Sequence, residues 1–191
     1  MSPLKPSRKN KKHEFTLILS GPDVLTEKSM EALFDAGCSD GTFGEVDGRQ
    51  SADFTRSAES LAAAVCSAIQ SVESAIPGLT VRRVEPDDLV AAADIARRAN
   101  RSRESIRLLI AGSRGPGGFP FPVAKVRTTR PLWRWTSVVS WFATALGENF
   151  GTESDAIFIA ALNSALEFRS LAPQIVEPRQ RRELRRLLGQ S

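Results

Sequence analysis

Apolar and polar positions fall into two different periods along this chain, and the places where one gives way to the other mark its elements. Phe15, Leu17 and Leu19 alternate with Thr16 and Ile18, which predicts a strand that stops at Gly21-Pro22. From Thr26 to Ala36 the spacing becomes helical, with Met30, Leu33 and Phe34 predicted inward and Gly37 as the stop. Thr42 to Val46 and Arg49 to Phe54 predict two strands joined at Asp47-Gly48, a pair suited to a type I′ hairpin, although their alternation is imperfect. Leu61, Val65, Ile69, Val72 and Ile76 repeat at helical spacing up to Pro77-Gly78, and a last strand runs from Leu79 to Val84. Strand, helix, strand, strand, helix, strand predicts a ferredoxin-like βαββαβ domain: a four-stranded antiparallel sheet with two helices on one face.

Beyond Glu85-Pro86 the pattern changes. Ala93 to Ala99 has small and apolar residues at helical spacing, and Ala96 lets a second helix cross close above it. Asn100 tolerates the left-handed backbone that a sharp turn needs, and Ser102 is a good N-cap. From Arg103 to Ala111 the apolar residues Ile106, Leu109 and Ile110 fall on one face; Arg103, Glu104, Ser105 and Arg107 fall on the other. Ala96, Asn100 and Ile106 make the steric skeleton of a helix-turn-helix. Arg101 occupies a turn position that is usually apolar, so it is expected to point outward, toward a phosphate. Gly112 ends the second helix and Ser113 to Gly118 cannot continue it. Phe119-Pro120-Phe121-Pro122-Val123 is extended by its prolines, Leu132 to Trp135 alternates like a strand, and Lys125, Arg127 and Arg130 lie between them. Thr136 or Ser137 then caps a further helix whose Val138, Val139, Trp141 and Phe142 pack back. Trp133, Trp135 and Trp141 are expected in the core of this wing rather than stacked on bases.

This order of Phe-Pro-x-Pro, a strand ending in Trp-Arg-Trp, and a helix carrying Val-x-x-Trp resembles the excisionase-like branch of the MerR-type winged helix-turn-helix family. The resemblance covers residues 86 to 146, roughly a third of the chain. It implies double-stranded DNA binding, with the second helix in the major groove and the wing on the backbone or minor groove.

Charge supports the same region independently. The net charge is +4, distributed as +5 over residues 1–13, −6 over 14–84, +5 over 85–147 and zero over 148–191. Residues 97 to 134 hold ten Arg or Lys against the single acid Glu104. Such a footprint suits phosphate contacts, each of which releases condensed counterion. The run Lys5, Arg8, Lys9, Lys11, Lys12 is expected to be a disordered arm, either following a groove or merely solubilising.

Other features exclude classes of function. No apolar run approaches the roughly 20 residues that cross a bilayer, and residues 1–13 lack the apolar core of a secretory signal. Cys38 and Cys66 fit a reducing compartment, and with only His13 to help, zinc is not expected. No cofactor is expected. Gly112 to Gly118 lacks the Gly-Lys-Ser/Thr ending of a nucleotide loop. His13 lies in the basic arm, a poor place for a general base, and Asp47, Asp53, Asp94 and Glu104 read as turn and helix-face residues, so the chain is not expected to be an enzyme.

The C-terminal part reads as helical. Thr152 to Asp155 is a capped, acidic start, and Ile157, Ala160, Ala161, Ser164, Ala165 and Phe168 predict a narrow apolar face. Pro173 and Pro178 interrupt it. Arg179 to Leu188 then predict a basic amphipathic piece, either a dimer arm or phosphate-binding tail or simply a solvated face on a terminal helix, with Leu184, Leu187 and Leu188 on one side and Arg181, Arg182, Arg185 and Arg186 mostly on the other. The expected organisation is therefore α+β: a basic arm at 1–13, a ferredoxin-like domain at 14–85, a winged helix-turn-helix at 86–147 and a helical tail at 148–191.

The expected function is sequence-specific DNA binding by a homodimeric bacterial transcriptional regulator, cytoplasmic and nucleoid-associated. Ser102, Arg103, Glu104, Ser105 and Arg107 are assigned to base edges and adjacent phosphates, and Arg101, Arg114, Lys125, Arg127, Arg130 and Arg134 to the DNA backbone. Two other classes share these features: an architectural or excision factor that bends DNA, and an antitoxin-like or ligand-gated regulator whose N-terminal domain binds a partner protein or small molecule.

Overall fold

The computed structural model of the protein describes residues 10–150 and 153–189. The chain is α+β and divides into two compact units, Met1–Glu85 with Leu162–Ser191, and Pro86–Ala161. Residues 148–191, expected as one helical tail, are shared between the two.

In the first unit the order is β1 (Lys11–Ser20), α1 (Glu27–Asp35), β2 (Gly41–Val46), β3 (Arg49–Ala58), α2 (Leu61–Ala75) and β4 (Thr80–Glu85). The strands form one antiparallel sheet in the order β2-β3-β1-β4. Phe15, Leu17 and Leu19 are buried with Ala52, Phe54, Val81 and Val84, on the sheet face that packs against Ala64, Val65, Ala68, Ile69 and Val72 of α2. The β2–β3 turn has Asp47 at φ 51° and Gly48 at φ 73°, the pair of positive values that a type I′ hairpin requires.

Three expectations for this unit are corrected. The basic arm of residues 1–13 does not extend to residue 13: Lys11, Lys12 and His13 belong to β1, opposite Ala58, Ser57 and Arg56 of β3. Lys5, Arg8 and Lys9 lie outside the described residues. In α1, Leu33 alone is buried, while Met30 and Phe34 are 42% and 68% exposed. Phe34 lies roughly 100° round the helix from Leu33, and α1 buries only the Leu33 side. The third correction concerns the C-terminal helix α6 (Glu153–Leu171), whose buried residues are Ile159 and Leu166, with Ile157 53% exposed.

That inversion has a physical cause. Asn163, on the same stripe as Leu166, meets the outer edge of β4 and hydrogen-bonds both backbone groups of Val84: the Val84 N–H donates to Asn163 Oδ1 (2.8 Å) and Asn163 Nδ2 donates to the Val84 carbonyl (2.9 Å). Arg169 donates to the Val81 carbonyl (2.9 Å), and Glu73 of α2 accepts from the Val81 N–H (2.8 Å) while pairing with Arg169 at 2.6 Å. A helix that covers a strand edge must supply hydrogen bonds, not apolar area. A short turn, Ala172–Gln174, leads to the last helix, α7 (Pro178–Leu187), which has no buried residue.

One buried cation organises the loop after α1. Arg56, 8% exposed, donates to both oxygens of Asp40 (2.8 Å each) and to the Gly37 carbonyl (2.9 Å), and it lies 4.9 Å from the Phe54 ring centroid. Its hydrogen bonds hold the Asp40 carboxyl below the usual carboxylate range. Burial pushes the neighbouring Cys38 thiol up, with the Arg56 charge opposing that in part.

The second unit contains β5 (Leu89–Val90), α3 (Ala92–Arg98), α4 (Arg103–Ile110), β6 (Trp133–Arg134) and α5 (Trp135–Trp141), which runs on into a wider π-helical turn at Phe142–Leu146. Val90, Ile95, Ala96, Ile106, Leu109, Phe119, Trp133, Val138, Trp141 and Phe142 form its core. No helix among the described residues is long and apolar enough to cross a membrane.

Candidate nucleic-acid interface

The outward face of α4 is set by how its neighbours end. At the end of α3, Asn100 takes φ 48°, its N–H donates to the Arg97 carbonyl (3.2 Å), and the Arg101 N–H donates to the Ala96 carbonyl (2.8 Å). This is a Schellman closure built on asparagine instead of glycine. Ser102 follows at once as N-cap, its hydroxyl accepting from the Ser105 N–H (3.1 Å). The two helices are thus joined with no slack. Ala96, at the crossing, is 3% exposed and Ile106 is fully buried. The same closure ends α4, where Gly112 at φ 67° donates to the Leu109 carbonyl and Ser113 to the Leu108 carbonyl.

With Ile106 and Leu109 inward, Arg103, Glu104 and Arg107 are exposed and Ser105 is half-buried. Glu104 accepts from Arg107 Nε (2.8 Å) and Nη2 (2.6 Å), which lowers the carboxyl's pKa and raises the guanidinium's. The pair occupies one side of the guanidinium fork and leaves Nη1 and the far hydrogen of Nη2 directed away from the carboxylate.

The glycine-rich loop after α4 is anchored at defined points. Gly115, at φ 80°, packs so closely on α4 that an added Cβ would meet Leu109 Cδ2 at 2.8 Å. Trp141 Nε1 donates to the Gly117 carbonyl and Trp133 Nε1 to the Pro120 carbonyl, both at 3.0 Å. Phe119 is buried edge-on against Trp141, with centroids 4.9 Å apart. Trp133 and Trp141 are therefore structural, and Trp135 carries the Arg98 guanidinium 5.1 Å from its centroid. Between Ala124 and Leu132, joined as a single β-bridge, the loop turns at Lys125 (φ 49°). Lys125, Arg127 and Arg130 on this turn, and Arg114 before it, are all exposed.

Two cations expected on the DNA backbone are turned to internal carboxylates. Arg101 pairs with Glu148 at 2.6 Å, with its side chain 27% exposed and its guanidinium 5.6 Å from the Phe142 centroid. It fills the usually apolar turn position with its stem and its flat charged head, so it does not point outward. Arg134, half-exposed, pairs with Asp88 at 2.9 Å. The strand containing Arg134 takes its partner from before α3. Trp133–Arg134 is antiparallel to Leu89–Val90, upstream of α3, and meets the 119–124 segment through the Ala124–Leu132 bridge and the Trp133–Pro120 hydrogen bond.

Asp88 is the residue that sequence reasoning missed. It is 5% exposed, and its carboxylate accepts from the Thr136 N–H (2.9 Å) and from Arg134 Nη1, while its carbonyl accepts from the Trp135 N–H (2.6 Å). α5 therefore starts at Trp135, without the expected Thr136 or Ser137 cap, and takes its cap from a residue 47 positions earlier than Trp135. The only local signal is an acid two residues after Pro86, and nothing in the spacing links it to α5.

Among the described residues no three His, Cys, Asp or Glu side chains gather into a metal-binding group. No family model, curated protein or solved structure matches the chain.

Proposed function

We propose that this chain binds double-stranded DNA through α4 and the loop 114–130. Its class would be that of a MerR-type, excisionase-like winged helix-turn-helix protein, and within it a homodimeric bacterial transcriptional regulator, cytoplasmic and nucleoid-associated. The observation that carries the reading is the rigid α3–α4 turn, which leaves Arg103, Glu104 and Arg107 exposed on one short helix. Residues 105–147, which follow, contain six Arg or Lys and no acid. The strand order β2-β3-β1-β4 in the first unit supports a ferredoxin-like domain there.

In this reading the N-terminal half of α4 enters the major groove. Arg107, buttressed by Glu104, offers its free Nη edge to guanine O6 and N7, and Arg103 reaches a neighbouring base or phosphate. Ser102 and Ser105 lie where the first backbone N–H groups of α4 meet a phosphate. Arg114, Lys125, Arg127 and Arg130 neutralise phosphates and make affinity fall with salt. Arg101 and Arg134 act on stability instead, through Glu148 and Asp88.

The test is selection of random duplexes by the purified full-length protein at about 0.15 M salt, with sequencing of the retained pool. An enriched inverted repeat supports the regulator. Retention without enrichment favours an architectural, DNA-bending role, and no retention refutes DNA binding. Arg107→Ala is expected to cost about 1 to 3 kcal/mol and relax preference at one base pair, whereas Lys125→Ala weakens all sequences alike. Even losses for both variants on every duplex would refute the assignment of α4 to the bases.

A further inference from the structure

Two surfaces of the first unit are left uncovered, and they complement each other. On α1, Met30 and Phe34 stand one turn apart and are 42% and 68% exposed, and Leu25 just before the helix is 46% exposed. Beside them Glu27, Glu31 and Asp35 are all exposed, with Lys28 the one base on the helix. An apolar ridge bordered by acids is the surface that receives a basic amphipathic helix.

α7 is a helix of that kind. Its inner side, with Leu184, Arg181 and Arg185, turns to a groove shared with Phe168 and Ile175. Arg179, Arg182 and Arg186, at i, i+3 and i+7, form an exposed stripe on the opposite side, and Leu187 next to them is 83% exposed. Nine residues of α1 and ten of α7 give helices of similar length, about 14 to 15 Å. The exposure of Phe34 means that α1 is not covered by the α7 of its own chain.

We propose that α7 of one copy lies on α1 of a second copy, Leu187 against Phe34 and the arginine stripe against Glu27, Glu31 and Asp35. Exchanged reciprocally about a two-fold axis, this contact builds a homodimer. Each contact is small, but the two act together, because forming one raises the effective concentration for the other. Opposite charges facing across a partly exposed helix pair also make the dimer weaken as salt rises. The surface does not depend on DNA binding, although a two-fold dimer is what an inverted-repeat site would require.

Sedimentation equilibrium of the full chain tests it. The wild type is expected near 41.6 kDa, twice the 20.8 kDa chain, at roughly 50 µM protein and about 0.1 M salt. Arg182→Glu with Arg186→Glu is expected to give a monomer, as is Glu27→Lys with Glu31→Lys, with far-UV circular dichroism unchanged in each. Mixing the two double variants at equal concentration restores the dimer, because each acidic α7 then meets a basic α1 and each basic α7 an acidic α1. A wild-type chain that stays near 20.8 kDa overturns the proposal. So do charge-reversed variants that remain dimeric, or a mixture that does not reassociate. Duplex affinity measured on the same samples separates this outcome from that of the DNA-binding reading.

Discussion

Replacing Asp88 by alanine is the sharpest test of how the second unit is held. Its carboxylate caps α5 across the fold at the Thr136 N–H and pairs with Arg134, at a site only 5% exposed. Removing a capping side chain costs about 1 kcal/mol in typical cases. Here the abandoned N–H loses a charged acceptor, a bond worth about 1.5 to 3 kcal/mol. The half-exposed Arg134 adds at most about 1 kcal/mol. Since the Trp135 N–H keeps its bond to the main-chain carbonyl of residue 88, the expected loss is about 2 to 3 kcal/mol. The assay is urea unfolding followed by tryptophan fluorescence. All three tryptophans, Trp133, Trp135 and Trp141, lie in the second unit and the chain has no tyrosine, so the signal reports that unit selectively. With a urea slope of about 1 kcal/mol/M for so small a unit, the midpoint should fall by roughly 2 to 3 M. Asp88→Asn keeps one acceptor and should lose about half as much. A drop of less than roughly 0.5 M for Asp88→Ala, with an unchanged slope, would refute the tertiary cap.

Asn100→Ala should lower the same fluorescence midpoint by an amount equivalent to about 1 to 2 kcal/mol, because φ 48° is costly for alanine, while Asn100→Gly should stay near the wild type; equal losses would mean the turn's backbone is not what matters. In the first unit, Asp40 has its folded pKa depressed by Arg56, so its contribution to stability is present above the unfolded aspartate pKa of about 3.9 and is lost as pH falls through the folded value. The stability gap between wild type and Asp40→Asn, read by circular dichroism, should therefore close below about pH 4 and be constant from about pH 5 to 7. Thiol labelling at about pH 8 should modify Cys66 quickly and Cys38 only slowly, since Cys66 is exposed whereas Cys38 is 3% exposed with a raised pKa. Equal rates would mean that the loop closed by Arg56 and Asp40 opens readily.

Local backbone chemistry made much of this fold readable. Phe15, Leu17 and Leu19 could alternate inward only in a strand, Asp47-Gly48 could serve the hairpin, and Asn100 with Ser102 could end one helix and start the next; all depend on neighbours a few residues away. The errors came where the deciding partner is distant. Arg101 looked outward because its Glu148 partner is 47 positions along, and Asp88 is just as far from the α5 N-terminus it caps. Apolar spacing does not find the inner face of α6, whose first obligation is to the backbone of β4, which Asn163 and Arg169 meet with polar atoms. Surface cations on α4 and the loop 114–130 are identifiable from charge alone; which of the cations around them are tied down internally is not.

The closure of the β4 edge changes what the sheet can assemble into. A sheet with two open edges is divalent and can add strands without limit, which is the route to fibres. Here Asn163, Arg169 and Glu73 occupy the outward groups of Val81 and Val84, while β2 at the far side has no strand neighbour beyond β3 among the described residues. The sheet is therefore monovalent: edge-to-edge pairing, if it begins at β2, ends at two chains. Cutting the chain before Leu162 would uncover both backbone groups of Val84 and the Val81 carbonyl, leaving Glu73 alone on the Val81 N–H, and so open a second edge to pairing even though no residue of the sheet itself had changed.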